Sequence, residues 1–171
     1  MRSFRILREE HYLFERTMKV LNRFLLQHNF SVRFFSDFFS LFTKLLLAHL
    51  KKEQILFPLI ALPSESENKP LSFLDTSFWD RNLKEEIEGA NSALDQKEWD
   101  NFSTHLEGII LLLSRHIFQQ EEGAFSEEGS LSEDLDRRVA RMFDDCYPKP
   151  GGKQLLSSFH FLLEEMERVV R

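Results

Sequence analysis

Six side chains that can bind a metal ion fall on the apolar faces of four predicted helices. They are His11, His49, Glu53, Asp80, His116 and Glu121. Residues three, four and seven apart share one face of a helix, so each of these groups follows its apolar neighbours toward the interior. An imidazole or a carboxylate in a protein core is costly unless it is paired, hydrogen-bonded or bound to a metal. The spacing therefore predicts a polar cluster that has to be satisfied inside the protein.

The two halves of the chain repeat the same order of groups. In the first half a single imidazole, that of His11, precedes the pair His49 and Glu53, which lie one helical turn apart. In the second half a single acid, Asp80, precedes His116 and its neighbouring carboxylate. Each half therefore predicts a helical hairpin, and two antiparallel hairpins would bring all six groups to one level of a bundle. Metal sites in four-helix bundles are built in this way, from side chains on facing helices.

The types of donor atom indicate which metal would suit such a site. Neutral imidazole together with carboxylate favours iron, manganese or zinc over calcium or copper(I). The same residues allow a metal-free alternative, a cluster of buried polar groups that hydrogen-bond to one another. A single His–Glu pair decides little, because His160 and Glu164 form one in the last predicted helix, and we assign that pair no function.

Hydrophobic periodicity predicts an all-α chain that forms a single domain over 1–171. We expect an up-down four-helix bundle over about 3–122, with Ser31 as the N-cap of its second helix. The four core helices are predicted over 3–28, 31–59, 75–94 and 97–122.

A helical extension is predicted over about 130–171. A capping box of Ser130 and Glu133 begins a shorter amphipathic helix, and 153–171 forms the last one. We expect both helices to pack outside the four-helix core.

The composition excludes several functional classes. Hydrophobic residues make up 42% of the 171 and charged residues 29%, which is the balance of a soluble globular protein. The 18 Phe, against two Trp and two Tyr, predict a large and dry core. A net charge of −6 argues against nucleic acid as a partner, since that function usually shows a basic stripe.

The cysteine content and the apolar runs predict a cytoplasmic protein that does not associate with a membrane. The one cysteine, Cys146, rules out an internal disulfide and fits reducing surroundings, and its sequence neighbours do not suggest a nucleophile. The charged segment MRSFRILREEH is unlike a signal peptide. The apolar runs are shorter than the ~20 residues of a membrane span.

Three segments resemble the repeated His-His-Glu signature of hemerythrin-like domains. They are REEH at 8–11, HLKKEQILFP at 49–58 and SRHIFQQEEGAF at 114–125. The resemblance extends over about residues 5–145 and implies an up-down four-helix bundle around non-haem iron. Members carry or sense oxygen, sense iron or redox state, or protect against nitrosative and oxidative stress. The resemblance therefore makes iron, in a mononuclear or dinuclear site, the expected metal, and oxygen or another small diatomic its expected ligand.

The resemblance also assigns roles to individual residues. By its pattern, His11 is the first-helix ligand, His49 and Glu53 are the second-helix pair, and His116 is the fourth-helix ligand.

The second half departs from the family pattern at two places. The third helix of the family supplies a His from a Glu–His pair, and here that place holds Trp79 and Asp80, so a carboxylate would replace an imidazole. The fourth-helix acid of the family lies four residues after the His, where this chain has Gln120. Glu121 follows at plus five, the spacing that the invertebrate oxygen carriers use.

A ferritin-like di-iron oxidase is the competing class of bundle. It is disfavoured because its E-x-x-H motif needs a Glu three residues before a His, and none of the six His has one. We therefore expect a hemerythrin-like protein that senses or stores iron, oxygen or reactive species. The rival is an interaction or signalling bundle that has lost the metal. An enzyme that activates oxygen or peroxide is a third interpretation, without a substrate-binding motif to support it, and homodimer formation is left open.

Overall fold

The regular structure of the chain is helical throughout the residues described. The computed structural model describes residues 1–26, 32–60, 76–123, 125, 131–149 and 152–170. Its helices are α1 (Arg2–Leu26), α2 (Val32–Ile60), α3 (Thr76–Gln96), α4 (Trp99–Glu122), α5 (Glu133–Met142), a 3-10 helix (Phe143–Cys146) and α6 (Gly152–Val169). The prediction of an all-α chain is therefore confirmed. Within these ranges, none of the helices is both long and apolar enough to cross a membrane.

Most helix boundaries lie within about two residues of those predicted, but the start of α5 differs. Its N-cap is Ser132, whose hydroxyl oxygen accepts a hydrogen bond from the backbone N–H of Leu135 at 3.3 Å. The predicted capping box used Ser130 instead, and that residue, like the predicted N-cap Ser31, lies outside the described residues. The sequence SLSED offers two serines with an acid nearby, so spacing alone did not separate the two caps.

Four helices surround the main hydrophobic core. Both α1 and α3 pack on α2 and on α4. Four phenylalanines of α2 are fully buried there, namely Phe35, Phe38, Phe39 and Phe42. Phe102 of α4 meets the rings of Phe35 and Phe39 nearly at right angles, with centroid distances of 5.5 and 5.4 Å. Edge-to-face contacts of this kind add to the burial of apolar area.

The last helix contributes to this core, which is more than the external packing predicted from the sequence. Phe159 of α6 is fully buried and stacks on Phe38 with a centroid distance of 5.3 Å. The guanidinium of Arg16 in α1 donates two hydrogen bonds to the carboxylate of Glu167 in α6, at 2.9 and 2.8 Å. The paired bonds fix the orientation of α6 against the first half of the chain.

Two glycines allow α3 and α4 to approach closely. A Cβ atom at Gly89 of α3 would lie 2.3 Å from Cε1 of His105, and one at Gly108 of α4 would lie 2.7 Å from Cδ of Glu86. The two polar side chains also meet each other, with 2.8 Å between His105 Nδ1 and Glu86 Oε2. His105 therefore serves the contact between these two helices.

The amino end of α1 is capped by a side chain from α5. The carboxylate of buried Asp136 accepts hydrogen bonds from the backbone N–H of Arg2 at 2.8 Å and of Ser3 at 3.1 Å, and from the Ser3 hydroxyl. The first N–H groups of a helix have no partner within it, and a negative charge is favoured there. Burial opposes ionisation of Asp136, but the hydrogen bonds outweigh it and hold its pKa below the usual value.

The Asp136→Asn variant should lose about 1 kcal/mol of unfolding free energy near pH 7. Because folding depresses the pKa of Asp136, its ionised carboxylate stabilises the fold above the unfolded-state pKa of about 3.9. This contribution is lost as the pH falls through the folded-state pKa, so the two proteins should converge in acid when unfolded with urea. The control is Asp134→Asn, an exposed acid of the same helix, which should change stability by less than about 0.5 kcal/mol. A deficit of Asp136→Asn that stays constant into acid would contradict the ionised cap.

Candidate metal-binding site

Three helices bring four of the predicted ligands together in the interior. His11 comes from α1, His49 and Glu53 come from α2, and His116 comes from α4; all four are buried. Each lies on the apolar stripe of its helix, so burial of that stripe carries the polar group into the core.

The nitrogen and oxygen atoms of these side chains converge on a small region. Nε2 of His11 and Nε2 of His49 are 3.2 Å apart. Oε1 of Glu53 lies 2.6 Å from Nε2 of His49 and 2.9 Å from Nε2 of His116. Ligand atoms of His11, His49 and Glu53 lie within 4.8 Å of one another, which is compact enough to surround one metal ion.

Two of these imidazoles each have a carboxylate beside Nδ1, the ring nitrogen that faces away from the cluster. Nδ1 of His11 is 2.8 Å from Oε1 of Glu121, and Nδ1 of His49 is 3.0 Å from Oε2 of Glu10. When each Nδ1–H donates to its carboxylate, each Nε2 keeps a lone pair that faces the centre of the cluster. This carboxylate–histidine arrangement orients the imidazoles of metal sites and fixes their tautomer.

Three buried polar atoms of the cluster have no hydrogen-bond partner among the described residues. They are Oε2 of Glu53, Nδ1 of His116 and Oε1 of Gln120. Buried polar atoms are nearly always paired, so an orphaned carboxylate oxygen beside three imidazoles has to be explained. A cation bound by both carboxylate oxygens of Glu53 would satisfy Oε2, and the residues present therefore fit a bound metal ion.

The site concentrates opposite charges in a dry environment. Burial lowers the pKa of His11, so its imidazole is neutral at pH 7. Burial also opposes protonation of His49, but the nearby carboxylates of Glu53 and Glu10 outweigh it and raise the pKa of His49 to about 9. Burial opposes ionisation of Glu53 as well, yet His116 and His49 together lower its pKa. A metal ion would have to displace the proton of His49, so binding should release protons.

A second polar network, which the sequence did not lead us to predict, holds the carboxylate of Glu10 that contacts Nδ1 of His49. The ammonium of Lys52 is fully buried and donates hydrogen bonds to Oε1 of Glu10 and, at 2.7 Å, to the hydroxyl of Tyr147. Tyr147 in turn donates to the same Glu10 oxygen at 2.9 Å. Burial and the charge of Glu10 raise the pKa of Tyr147, which keeps the phenol protonated. Glu10 is thereby held in place as the acceptor for His49.

The sequence did contain a signal for two members of this network. Glu10 follows Leu7 by three residues and precedes Phe14 by four. Lys52 likewise follows His49 by three residues and precedes Leu56 by four. Both therefore lie on apolar stripes, where a charged residue calls for a partner.

The two remaining predicted ligands lie elsewhere. Glu121 is partly exposed and contacts the outer nitrogen of His11, so it orients that imidazole. The carboxylate of Asp80 does not reach the cluster and instead accepts a hydrogen bond from Lys84 Nζ at 2.7 Å. The ring of Trp79 is the group that α3 places beside His116, with a centroid distance of 5.5 Å.

No protein-family model, curated protein or solved structure matches this chain. The resemblance to hemerythrin-like domains therefore stays a prediction from the His-His-Glu motifs.

Lys52→Met should lower the free energy of unfolding by about 1–3 kcal/mol in chelator-treated protein, because the buried carboxylate of Glu10 then keeps only His49 and Tyr147 as partners. The double variant Glu10→Gln, Lys52→Met should lose less than the sum of the two single losses, since neither charge is then left alone. The matched control is Lys51→Met, at the exposed neighbouring position, with an expected change below about 0.5 kcal/mol. Equal losses for Lys51→Met and Lys52→Met in urea unfolding would show that the buried pair does not matter.

Proposed function

We propose that this chain is a hemerythrin-like protein that binds non-haem iron and senses or stores iron, oxygen or reactive species. The observation that carries the proposal is the convergence of three donor atoms, Nε2 of His11, Nε2 of His49 and Oε1 of Glu53. An up-down four-helix bundle formed by α1 to α4 is part of the same proposal, and the contacts of α1 and α3 with α2 and α4 support it.

The spacing of the donors supports direct ligation. Atoms that each lie about 2.0–2.2 Å from a shared ion are themselves about 3 Å apart. The separations of 3.2 Å between His11 and His49 and of 2.6 Å between His49 and Glu53 are close to that value. The two imidazoles of His11 and His49 and the carboxylate of Glu53 suit iron, with manganese and zinc as the other metals that share this preference. Because the donors gather at one place, the proposal favours one ion over two.

The surroundings suit a sensor or a store better than an enzyme with a large substrate. Aromatic rings lie against three of the imidazoles: Phe125 on His11 at 5.2 Å, Phe14 on His49 at 5.1 Å and Trp79 on His116 at 5.5 Å. These rings exclude bulk water from the imidazoles. A bound iron ion would supply redox and Lewis-acid chemistry, while Glu10 and Glu121 would orient the imidazoles.

A metal-free interaction bundle is the second candidate, and one observation favours it. The third helix places the ring of Trp79, which is no ligand, beside His116, while Asp80 pairs with Lys84. The ion pairs of Glu53 with His49 and His116 could then satisfy the buried charge alone. Metal analysis distinguishes the two candidates directly.

Purified protein should contain iron, and a chelator should lower its melting temperature. A metal ion that binds only the folded state stabilises it by about 2.7 kcal/mol when its free concentration is one hundred times the dissociation constant. The double variant His49→Ala, His116→Ala should contain no iron and melt at the same temperature with and without chelator. His160→Ala, an exposed histidine outside the cluster, is the control and should behave as wild type. Iron-loaded wild type that melts identically with and without chelator would contradict binding at this site.

Asp80→Asn should leave the iron content per chain unchanged, because the Asp80 carboxylate pairs with Lys84 and does not reach the donors. Glu53→Gln should abolish binding, since it removes the only carboxylate among the converging donors. Elemental analysis of both variants, prepared side by side, decides the matter. A loss of iron in Asp80→Asn as large as that in Glu53→Gln would restore Asp80 to the ligand set.

A further inference from the structure

The outer face of α5 carries a concentration of arginines that the metal site does not use. Arg2 of α1 and Arg137, Arg138 and Arg141 of α5 line an open cavity of about 620 Å³. The only acidic residue in its lining is Asp134. We call these four arginines the arginine surface. Together with Asp134 they bring three net positive charges to one place in a chain whose net charge is −6.

Two features of the fold hold the arginine surface together. Arg141 lies four residues after Arg137 and three after Arg138 on α5, so it neighbours both on that helix. Arg2 belongs to a different helix, and it is held there by the hydrogen bond from its backbone N–H to Asp136 at 2.8 Å. The carboxylate of Asp136 is buried and engaged by the end of α1 through both oxygens, so it does not line the cavity.

The positive charge of this surface is poorly compensated within the described part of the chain. The one ion pair there joins Arg137 to Asp134 at 2.7 Å, between side chains that are 63% and 85% exposed, and such pairs contribute little. The guanidinium of Arg141 donates to the backbone carbonyl of Arg137 at 3.3 Å, which neutralises nothing. Like charges four residues apart on a helix destabilise it by a few tenths of a kcal/mol. The cavity therefore keeps an excess of positive charge that an anion would neutralise.

We propose that the arginine surface binds a phosphate-bearing anion that carries at least two negative charges. Planar guanidinium groups donate paired hydrogen bonds to phosphate oxygens, and several of them around one concavity can engage the same group. Three net positive charges match a multiply charged anion better than a single carboxylate. A free phosphate ester and a lipid headgroup are the two sources of such a phosphate, because both present the same oxygens. This proposal is independent of metal binding, since no metal-ligand candidate lines the cavity.

Inorganic pyrophosphate is the probe for the free anion. Calorimetric titration at low salt should show saturable binding to the full chain, weakening as salt is added because the contacts are exposed. The Arg138→Gln, Arg141→Gln double variant should bind at least about tenfold more weakly, since it removes two charge-assisted contacts. The matched control, Arg23→Gln, Arg168→Gln, removes the same charge from exposed positions on α1 and α6 and should bind as wild type. Circular dichroism melting confirms that both variants are folded.

Vesicles separate the two sources of phosphate. Wild-type chain should be mixed with phosphatidylcholine vesicles, with and without phosphatidic acid, and sedimented. Binding to the vesicles with phosphatidic acid in the absence of pyrophosphate binding assigns a lipid headgroup, and pyrophosphate binding assigns a free phosphate compound. Either result supports the proposal if the Arg138→Gln, Arg141→Gln variant loses it. The proposal is overturned if neither probe binds, or if the control variant loses binding to the same extent.

Discussion

A layer of charged side chains crosses the interior of this protein, and compensation of those charges constrains the rest of the structure. On α1, Leu7 belongs to one apolar cluster and Leu13 to another, with Glu10 and His11 between them. The most demanding member is Glu53, which is fully buried. A buried charge that loses its partner is strongly destabilising, whereas a compensated one is tolerated. The imidazoles of α1, α2 and α4 therefore have to stay close to this carboxylate, and the helices that carry them are fixed relative to one another.

The compensation extends beyond the four-helix core, which explains why the C-terminal part is closely packed. Tyr147, which follows the 3-10 helix, reaches Glu10 and Lys52 and completes the network behind His49. Phe143 of the 3-10 helix lies under the same ammonium, with 5.9 Å between Nζ and the ring centroid. Satisfied buried networks of this kind specify one arrangement of the core more strongly than apolar packing alone. The segment after the fourth helix thus takes part in positioning the candidate ligands.

Hydrophobic periodicity predicted the helices and the inward position of His11, His49, Glu53 and His116, because burial of an apolar stripe is a local property of each helix. It did not decide which residue of α3 faces His116. Neighbouring side chains on a helix differ by about 100° around the axis, so a shift of one residue exchanges Asp80 for Trp79. The contribution of Tyr147 had no sequence signal, since it depends on the tertiary position of the 3-10 helix.

The carboxylate of Asp136 also governs local opening of the chain. Helix ends fray first, because their outermost N–H groups lack partners and their contacts are few. α1 begins at Arg2, and His11 lies within three turns of that end, so fraying from it would reach the imidazole after few hydrogen bonds are broken. Docking of α5 suppresses this opening through the backbone of Arg2 and Ser3. A helix without any candidate ligand therefore limits opening of the chain near His11, and amide exchange in the first turns of α1 would measure how often that end opens.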